Sequence, residues 1–339
     1  MTLTHTLGID IAKAKFDVAL HLIRQTPAQI ALASTLNKYH LKDKTAQFTN
    51  DAAGFDALIA WLQAHHVGLE SIHIAMEATG IYYEELAAFL CAKGFNVSVV
   101  NPALISGFAK ANLSRTKTDK ADAKLIASFC AALQPARWLA PAPQVRHLRE
   151  LTRRLVDLKD LQQQERNRLS QARSTHGSIT VIIDALETQI KLIVKAIKDH
   201  IDKHPDLKAQ AALLDSIPGM GSVTIGTLLA EVEFERFDRA PQLAAFTGLV
   251  PKIRQSGTSV HGRGALSKAG SSDLRRSLYM PAIVAMQHNP VIKAFYTRLL
   301  ANGKSKMQAI CACMRKLLCI AFGVLKSKLP FNPHYCLAA

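Results

Sequence analysis

An aspartate set inside an apolar strand is the feature that most limits how this chain can fold. Asp10 stands in Leu7-Gly8-Ile9-Asp10-Ile11, within a segment from Thr4 to Ile11 that reads as a β-strand. A carboxylate in a strand that a core must bury is costly unless it is paired or bound to a cation. Glu77 has the same character. It directly follows Ile72-His73-Ile74-Ala75-Met76 and precedes Ala78-Thr79-Gly80, so it sits at the C-terminal end of a strand, where open sheets place their sites. Asp119 and Asp122 lie in Lys117-Thr118-Asp119-Lys120-Ala121-Asp122-Ala123, ahead of the apolar Leu125, Ile126 and Phe129. Three apart on a helical turn, their side chains share a face.

Each acid alone has a plain structural alternative. Asp10 could shape the turn before a hairpin, Glu77 could pair with a lysine, and Asp119 could cap the helix that starts near Lys120. Together they are harder to explain that way, because a hairpin strand, a neighbouring strand end and a following helix can converge on one point. Carboxylates and water suit hard divalent cations. Two such ions suit phosphodiester cleavage, since they stabilise both the attacking and the leaving oxygen of an in-line displacement.

The rest of the first 130 or so residues alternates strand-like and helix-like patterns. Phe16 to Leu22 reads as a second strand after the turn Ala12-Lys13-Ala14-Lys15, and Ala46 to Phe48 as a short third. Asn50 is expected to cap a helix through His65, with Phe55, Leu58, Ile59 and Leu62 on one face. A helix from about Tyr82 to Lys93 ends at Gly94, and the strand Asn96 to Val100 stops at Asn101-Pro102. This order predicts an α/β domain, a mixed sheet with helices on both faces.

Three prolines, Pro135, Pro141 and Pro143, mark a linker. Val145 to about Leu169 is then a long helix, His176-Gly177 breaks it, and Ile179 to His204 resumes the pattern. That is a helical hairpin, read either as a coiled coil or as an ordinary packed pair. The remainder is mostly α-helical and basic. The expected domains are 1–132, a linker 133–144, a helical hairpin or coiled-coil middle 145–205, and a C-terminal domain 206–339.

Charge narrows the partner. The chain of 339 residues carries 42 Lys and Arg against 26 Asp and Glu, a net +16. Between Pro251 and Lys328 there are fourteen basic residues and one acid, Asp273. A bias this concentrated favours a polyanion, and nucleic acid is preferred over a membrane surface because the bases do not line one amphipathic helix. No run of eighteen apolar residues and no secretion signal is apparent, so no membrane is expected. Six scattered cysteines read as reduced thiols of a cytoplasmic protein.

Two motifs add to this. Ser216-Ile217-Pro218-Gly219-Met220-Gly221 joins two apolar helical segments and looks like a helix-hairpin-helix, whose backbone N–H groups meet a phosphate. The plain alternative is a helical turn. Further on, Arg254-Gln255-Ser256-Gly257-Thr258-Ser259-Val260-His261-Gly262-Arg263-Gly264 places hydroxyls among bases that could neutralise a phosphate, though serines in such loops are usually turn residues. Lys268, Arg275 and Arg276 follow. With Gly219, Gly221, Arg254 and Arg263 they form the candidate nucleic-acid contacts.

Gly8-Ile9-Asp10-Ile11-Ala12-Lys13, Glu77-Ala78-Thr79-Gly80, Asn101-Pro102 and Lys117-Thr118-Asp119-x-x-Asp122-Ala123 resemble, in order and spacing, the DEDD-type insertion-sequence transposases. That family is related to the pilin-gene invertases, and its N-terminal domain is similar to the Holliday-junction resolvases. The resemblance runs over nearly the whole chain. It implies an RNase H-like (RuvC-like) N-terminal fold in which Asp10, Glu77, Asp119 and Asp122 bind magnesium, two ions to a site. It further implies that the serine of a Ser-Gly-x-Ser motif, Ser256 here, is a nucleophile, with Ser259 the alternative. Such a hydroxyl needs activation by a metal or a base. The implied protein is a bacterial, cytoplasmic, nucleoid-associated recombinase. Its partners would be double-stranded donor and target DNA, a structured guide RNA and further copies of itself in a dimer or tetramer. A junction-resolving nuclease that uses metal-activated water is the alternative.

Overall fold

The computed structural model describes residues 3–23, 43–113, 118–252, 255–256, 260–261, 265–267 and 270–334. It divides into two compact units, Met1–Ala140 and Pro141–Ala339.

The first unit is built on a five-stranded sheet, β1 (His5–Ile11), β2 (Lys15–Leu22), β3 (Lys44–Thr49), β4 (Ile72–Glu77) and β5 (Asn96–Val100), in the order β3-β2-β1-β4-β5. The pairs β1–β2 and β2–β3 are antiparallel, and β1–β4 and β4–β5 are parallel. The period of two decides which side chains face which layer. One face carries Leu7, Ile9, Phe16, Val18, Ile74 and Met76, fully buried with residues of α1 (Ala52–Ala64) and α2 (Glu84–Ala92) such as Leu58 and Leu86. The other face carries small residues, Gly8, Ala19 and Ala75, and is covered by α4 (Asp119–Leu133), with Ile105 of α3 (Pro102–Ala111) in the same cluster as Ile126 and Phe129.

Gly8 sets how closely α4 can lie. A Cβ at Gly8 would fall 2.0 Å from the Ala123 carbonyl oxygen and 2.3 Å from the Ala127 nitrogen. Thr6, two residues back on the same face, donates its hydroxyl to the Ala127 carbonyl at 3.0 Å. Helix backbone therefore rests directly on strand backbone.

Two details of the first unit differ from the sequence expectation. Asp51, not Asn50, caps α1, its carboxylate accepting from the Gly54 amide at 2.9 Å, while Asn50 donates to the carbonyls of Ala12 and Tyr82. Asn101-Pro102, read only as a strand stop, also opens a helix. Asn101 caps α3 and Pro102 occupies its first turn, where a missing N–H costs nothing.

Among the described residues the second unit is helical apart from short two-residue strands. A long hairpin, α5 (Pro143–Leu169) and α6 (His176–Lys203), precedes α7 (Pro205–Asp215), α8 (Ser222–Glu231), α9 (Ala240–Phe246), α10 (Ser272–His288), α11 (Pro290–Ala301) and α12 (Lys306–Ser327). The base of the hairpin joins one core with the later helices through Leu148, Leu155, Ile197 and Ile201. Among the described residues α12 is the one helix long and apolar enough to cross a membrane, and it places Cys313, Leu317 and Ala321 in that same core.

Because both groups that a Gly8 side chain would meet are backbone, neither can swing aside. Gly8→Ala is expected to cost about 3 kcal/mol or more, whereas Gly107→Ala on α3, where an added Cβ meets nothing within 4 Å, should be neutral or slightly stabilising. Urea unfolding of the two variants checks this, and equal midpoints would refute the close approach.

Candidate active site

Register alone assembles most of the acid site. Asp10 is the penultimate residue of β1 and pairs directly with Asp17 of β2, and Asp17 pairs with Gln47 of β3. On the other side, Ile9 pairs with Met76, so Glu77 stands one step beyond that pair, beside Asp10, at the end of β4. Opposed residues point to the same side of a sheet. Gln47, Asp17, Asp10 and Glu77 therefore form a row across four adjacent strands, on the face that α4 covers.

The helix supplies the remaining acids. Thr118 caps α4, its hydroxyl accepting from the Ala121 amide at 3.2 Å. The capping role considered for Asp119 is thus taken by its neighbour. Asp119 becomes the first helical residue, and Asp122 lies one turn further on. The helix is fixed on Gly8 at Ala123 and Ala127, and four helical residues advance about 6 Å, close to the roughly 6.6 Å of two strand residues. The first turn of α4 consequently comes down at the level of Asp10.

The electrostatics report the same convergence. Burial first, and then the charges of Asp122, Asp119, Glu77 and Asp17, push the Asp10 carboxyl up from 3.8 to about 6. Lys15, at the start of β2, donates to Asp119 at 3.0 Å and stands 3.9 Å from Asp17. The hydrogen bond to Asp119 is the main reason the Lys15 ammonium titrates above its ordinary range. Neither Asp17 nor Lys15 was expected at this site. For Asp17 the signal was present, an acid in the apolar strand Phe16-Asp17-Val18 like Asp10 before it. For Lys15 no sequence pattern distinguishes it from Lys13.

The donors fit a hard divalent cation in kind, being carboxylate oxygens without a soft ligand. One of them, Asp17 Oδ1, is buried with no hydrogen-bond partner among the described residues. As they stand, no three His, Cys, Asp or Glu side chains among the described residues are drawn together tightly enough to enclose an ion. The acids are within electrostatic reach of one another, with Lys15 paired to one of them.

The second unit holds the other candidate residues. Ser216 to Gly221 forms the turn between α7 and α8. Gly219 adopts φ +100°, and a Cβ there would meet Ala285 at 2.7 Å. Gly221 is exposed and leads into α8 without a side-chain cap. Ser256 lies in a two-residue strand paired with Val260–His261, and its side chain is outside the described residues, as are Arg254, Ser259, Arg263 and Lys268. Arg275 donates to the backbone carbonyls of Gly270 at 2.9 Å and Thr247 at 3.2 Å. Arg276 forms a two-pronged pair with Asp160 of α5, one bond at 2.9 Å. Both guanidiniums are thus engaged within the protein, which the local sequence does not foretell.

Residues 7–175 match a DEDD transposase family of the IS110 type, and residues 211–297 match the transposase IS116/IS110/IS902 family. The chain is 33% identical to the pilin gene-inverting protein of Moraxella bovis over 336 residues, 96% of this chain and 97% of that one. The pilin gene-inverting protein of Moraxella lacunata matches equally well, at 33% over the same shares. An insertion element IS110 protein of 43.6 kDa from Streptomyces coelicolor is 33% identical over 157 residues, 45% of this chain and 36% of that one. A mixed α/β unit bearing a row of acids, followed by a helical unit, is in this light a DNA transposase or recombinase. The chain belongs to the IS110/IS116/IS902 family of transposases. DEDD transposases act on DNA and generally use divalent metal ions.

The raised Asp10 value fixes a sign. The folded chain holds this proton more tightly than the unfolded chain, so stability falls as pH rises from about 4 to about 6 and the penalty persists above. In a chelator, Asp10→Asn should therefore melt higher than the wild type at pH 7.5, with the gap closing toward pH 4. A variant that melts lower at pH 7.5 would show that the charges of the row do not oppose one another.

Proposed function

We propose that this chain cuts and rejoins DNA by metal-assisted phosphoryl transfer, with Asp10, Glu77, Asp119 and Asp122 holding magnesium, two ions to a site, and Ser256 as the nucleophile. The observation that carries the reading is the convergence of the acids: strand register sets Asp17, Asp10 and Glu77 side by side, and their charges, with those of Asp119 and Asp122, help push the Asp10 carboxyl up. So many acids gathered at the ends of neighbouring strands are a poor structural device and a good cation cradle. Divalent ions held there would neutralise charge on the attacking and leaving oxygens of a phosphodiester.

The residues have separate tasks. Asp10 and Glu77 are fixed by strands, and Asp119 and Asp122 by a capped helix, so the donors are held by rigid elements. In the first step a bond forms between Ser256 Oγ and phosphorus as the bond from phosphorus to one deoxyribose oxygen breaks. The Oγ proton passes to a base, and the departing oxygen takes up a proton. In the second step the hydroxyl of another strand end attacks the phosphoserine, and Oγ is released. The phosphodiester energy is kept in the covalent link, so no nucleotide is consumed, in keeping with the absence from the sequence of a G-x-x-x-x-G-K-[ST] loop. The acids and Ser256 belong to different compact units, so the reading draws on residues of both.

Several partners follow. Gly219 and Gly221 present backbone N–H groups at the start of α8 to a phosphate, and Arg254, Arg263 and Lys268 supply charge to donor and target duplexes. Arg275 and Arg276 would need to leave their internal partners to join them. Leu161, Val181 and Leu192 are exposed along the α5–α6 hairpin, which suits a coiled-coil contact with another copy in a dimer or tetramer. A structured guide RNA, a place in the bacterial cytoplasm near the nucleoid, and the division into 1–132, 133–144, 145–205 and 206–339 complete the proposal. The pilin gene-inverting relatives align over 96% of this chain, and the chemistry proposed here serves inversion and transposition alike.

A second reading uses only the first unit: a structure-specific nuclease in which the acid row directs water. Ser256→Ala separates the two. The recombinase reading expects strand transfer to fall by about a thousandfold or more and a covalent protein–DNA adduct to vanish on denaturing gels while DNA binding persists. Full cleavage and transfer by Ser256→Ala would sink it.

A further inference from the structure

Asp17 is the acid that the DEDD pattern leaves out. Its position is strict: directly across from Asp10 in the β1–β2 ladder, on the face covered by α4. It is 2% exposed. One oxygen is held, Oδ2 accepting from Gln47 Nε2 at 2.8 Å, with the Lys15 ammonium 3.9 Å from the same atom. The other, Oδ1, is buried and without a hydrogen-bond partner among the described residues. A carboxylate kept only to anchor β3 to β2 would have both oxygens satisfied or would be replaced by an amide, because a buried unpartnered acceptor is costly. Asp10 makes the cost greater, since the two carboxylates face each other across one pair of strands and like charges so placed repel. The arrangement calls for a cation at Oδ1.

We propose that Asp17 is a fifth carboxylate of the cation site, with Oδ1 holding the divalent ion directly or through one of its waters, and with Gln47 orienting the carboxylate through Oδ2. This rests on the reading of Asp10, Glu77, Asp119 and Asp122 as a metal centre. Asp17 differs from those four in depth. It is closed off from solvent and bound to a neighbouring strand, so it cannot follow a departing ion as an exposed side chain on a helix turn can. That suits it to retain the cation between reaction steps. Oriented supporting partners of this kind typically change metal affinity by about ten- to a hundredfold.

The test measures Mn2+ binding to the full-length chain by calorimetry and by the electron paramagnetic resonance signal of free Mn2+, without DNA. Asp17→Asn keeps the shape and can still bond to Gln47. It is expected to bind Mn2+ about ten- to a hundredfold more weakly, and to melt in chelator at or above the wild-type temperature because a buried charge is gone. Wild-type affinity in Asp17→Asn would overturn the proposal and leave Asp17 as an anchor of β3. Asp10→Asn is the companion. If the wild type binds Mn2+ and Asp10→Asn does not, the metal centre stands whatever Asp17 does. If the wild type itself binds none, the metal centre falls and this proposal with it. Should Asp17→Asn fail to fold, Gln47→Met leaves every acid in place and carries the test: affinity should drop several-fold, and an unchanged value overturns the proposal.

Discussion

The missing side chain at Gly8 lets the backbone of α4 settle on the backbone of β1, and the geometry of the acid site follows from that contact. Ala123 and Ala127 lie where a Cβ would be, and Thr6 ties its hydroxyl to the same turn of helix. A helix held at two successive turns over a strand has no freedom left to slide or rotate. Its first turn, with Asp119 and Asp122, must then arrive above the strand ends that carry Asp10 and Glu77. The small residues beside Gly8 on the same face, Ala19 and Ala75, clear the floor for it. The large apolar side chains of β1, β2 and β4 lie on the opposite face, against α1 and α2, so the sheet is asymmetric around Gly8: one face supplies adhesion and the other proximity.

Proximity has an electrostatic cost. Two unit charges at 4 Å repel by about 1 kcal/mol in water and about 4 kcal/mol at an effective dielectric near 20. Several such repulsions amount to an appreciable part of a domain's net stability, and Lys15, bonded to Asp119 and near Asp17, offsets some of it. The hydrophobic face must offset this whenever no cation is bound. The raised Asp10 value is the visible sign of the strain. A rigid scaffold is what makes such strain sustainable, since acids on mobile loops would simply move apart.

Much of this architecture was legible in the chain itself, and the gaps have physical causes. The strands around Asp10, Phe16, Ile74 and Val97 declare themselves by period and composition, because a sheet buried on both faces needs apolar residues at nearly every position. Asp10 and Glu77 stand out against that background for the same reason. Asp17 gives an equal signal, an acid in an apolar strand, but only the register of the hairpin sets it opposite Asp10. Asn50 and Asp51 are adjacent and chemically similar caps, and only the direction of the side chains decides between them. At Asn101-Pro102 one dipeptide both ends a strand and starts a helix, and the stop signal hides the start. Arg275 and Arg276 fail differently. Their partners, the Thr247 and Gly270 carbonyls and Asp160, become neighbours only when helices pack, and no local pattern carries that information.

The positive charge of the second unit is therefore not uniform in what it can bind. A formal excess counts every base equally, yet a guanidinium paired with a carboxylate has its charge largely matched, and one bonded to backbone carbonyls keeps its charge but is tethered in place. Lys252, Lys293, Lys304 and Lys306 are exposed, and such lysines, strongly hydrated and flexible, attract a polyanion without selecting a sequence. The acid row does the opposite and repels a phosphodiester. A protein that must both attract DNA and bring one phosphate up to a group of carboxylates meets these demands by placing them in separate units. It then needs a mobile positive charge at the acids. A divalent ion supplies that charge only where oxygens already converge, which returns the problem to the glycine under α4.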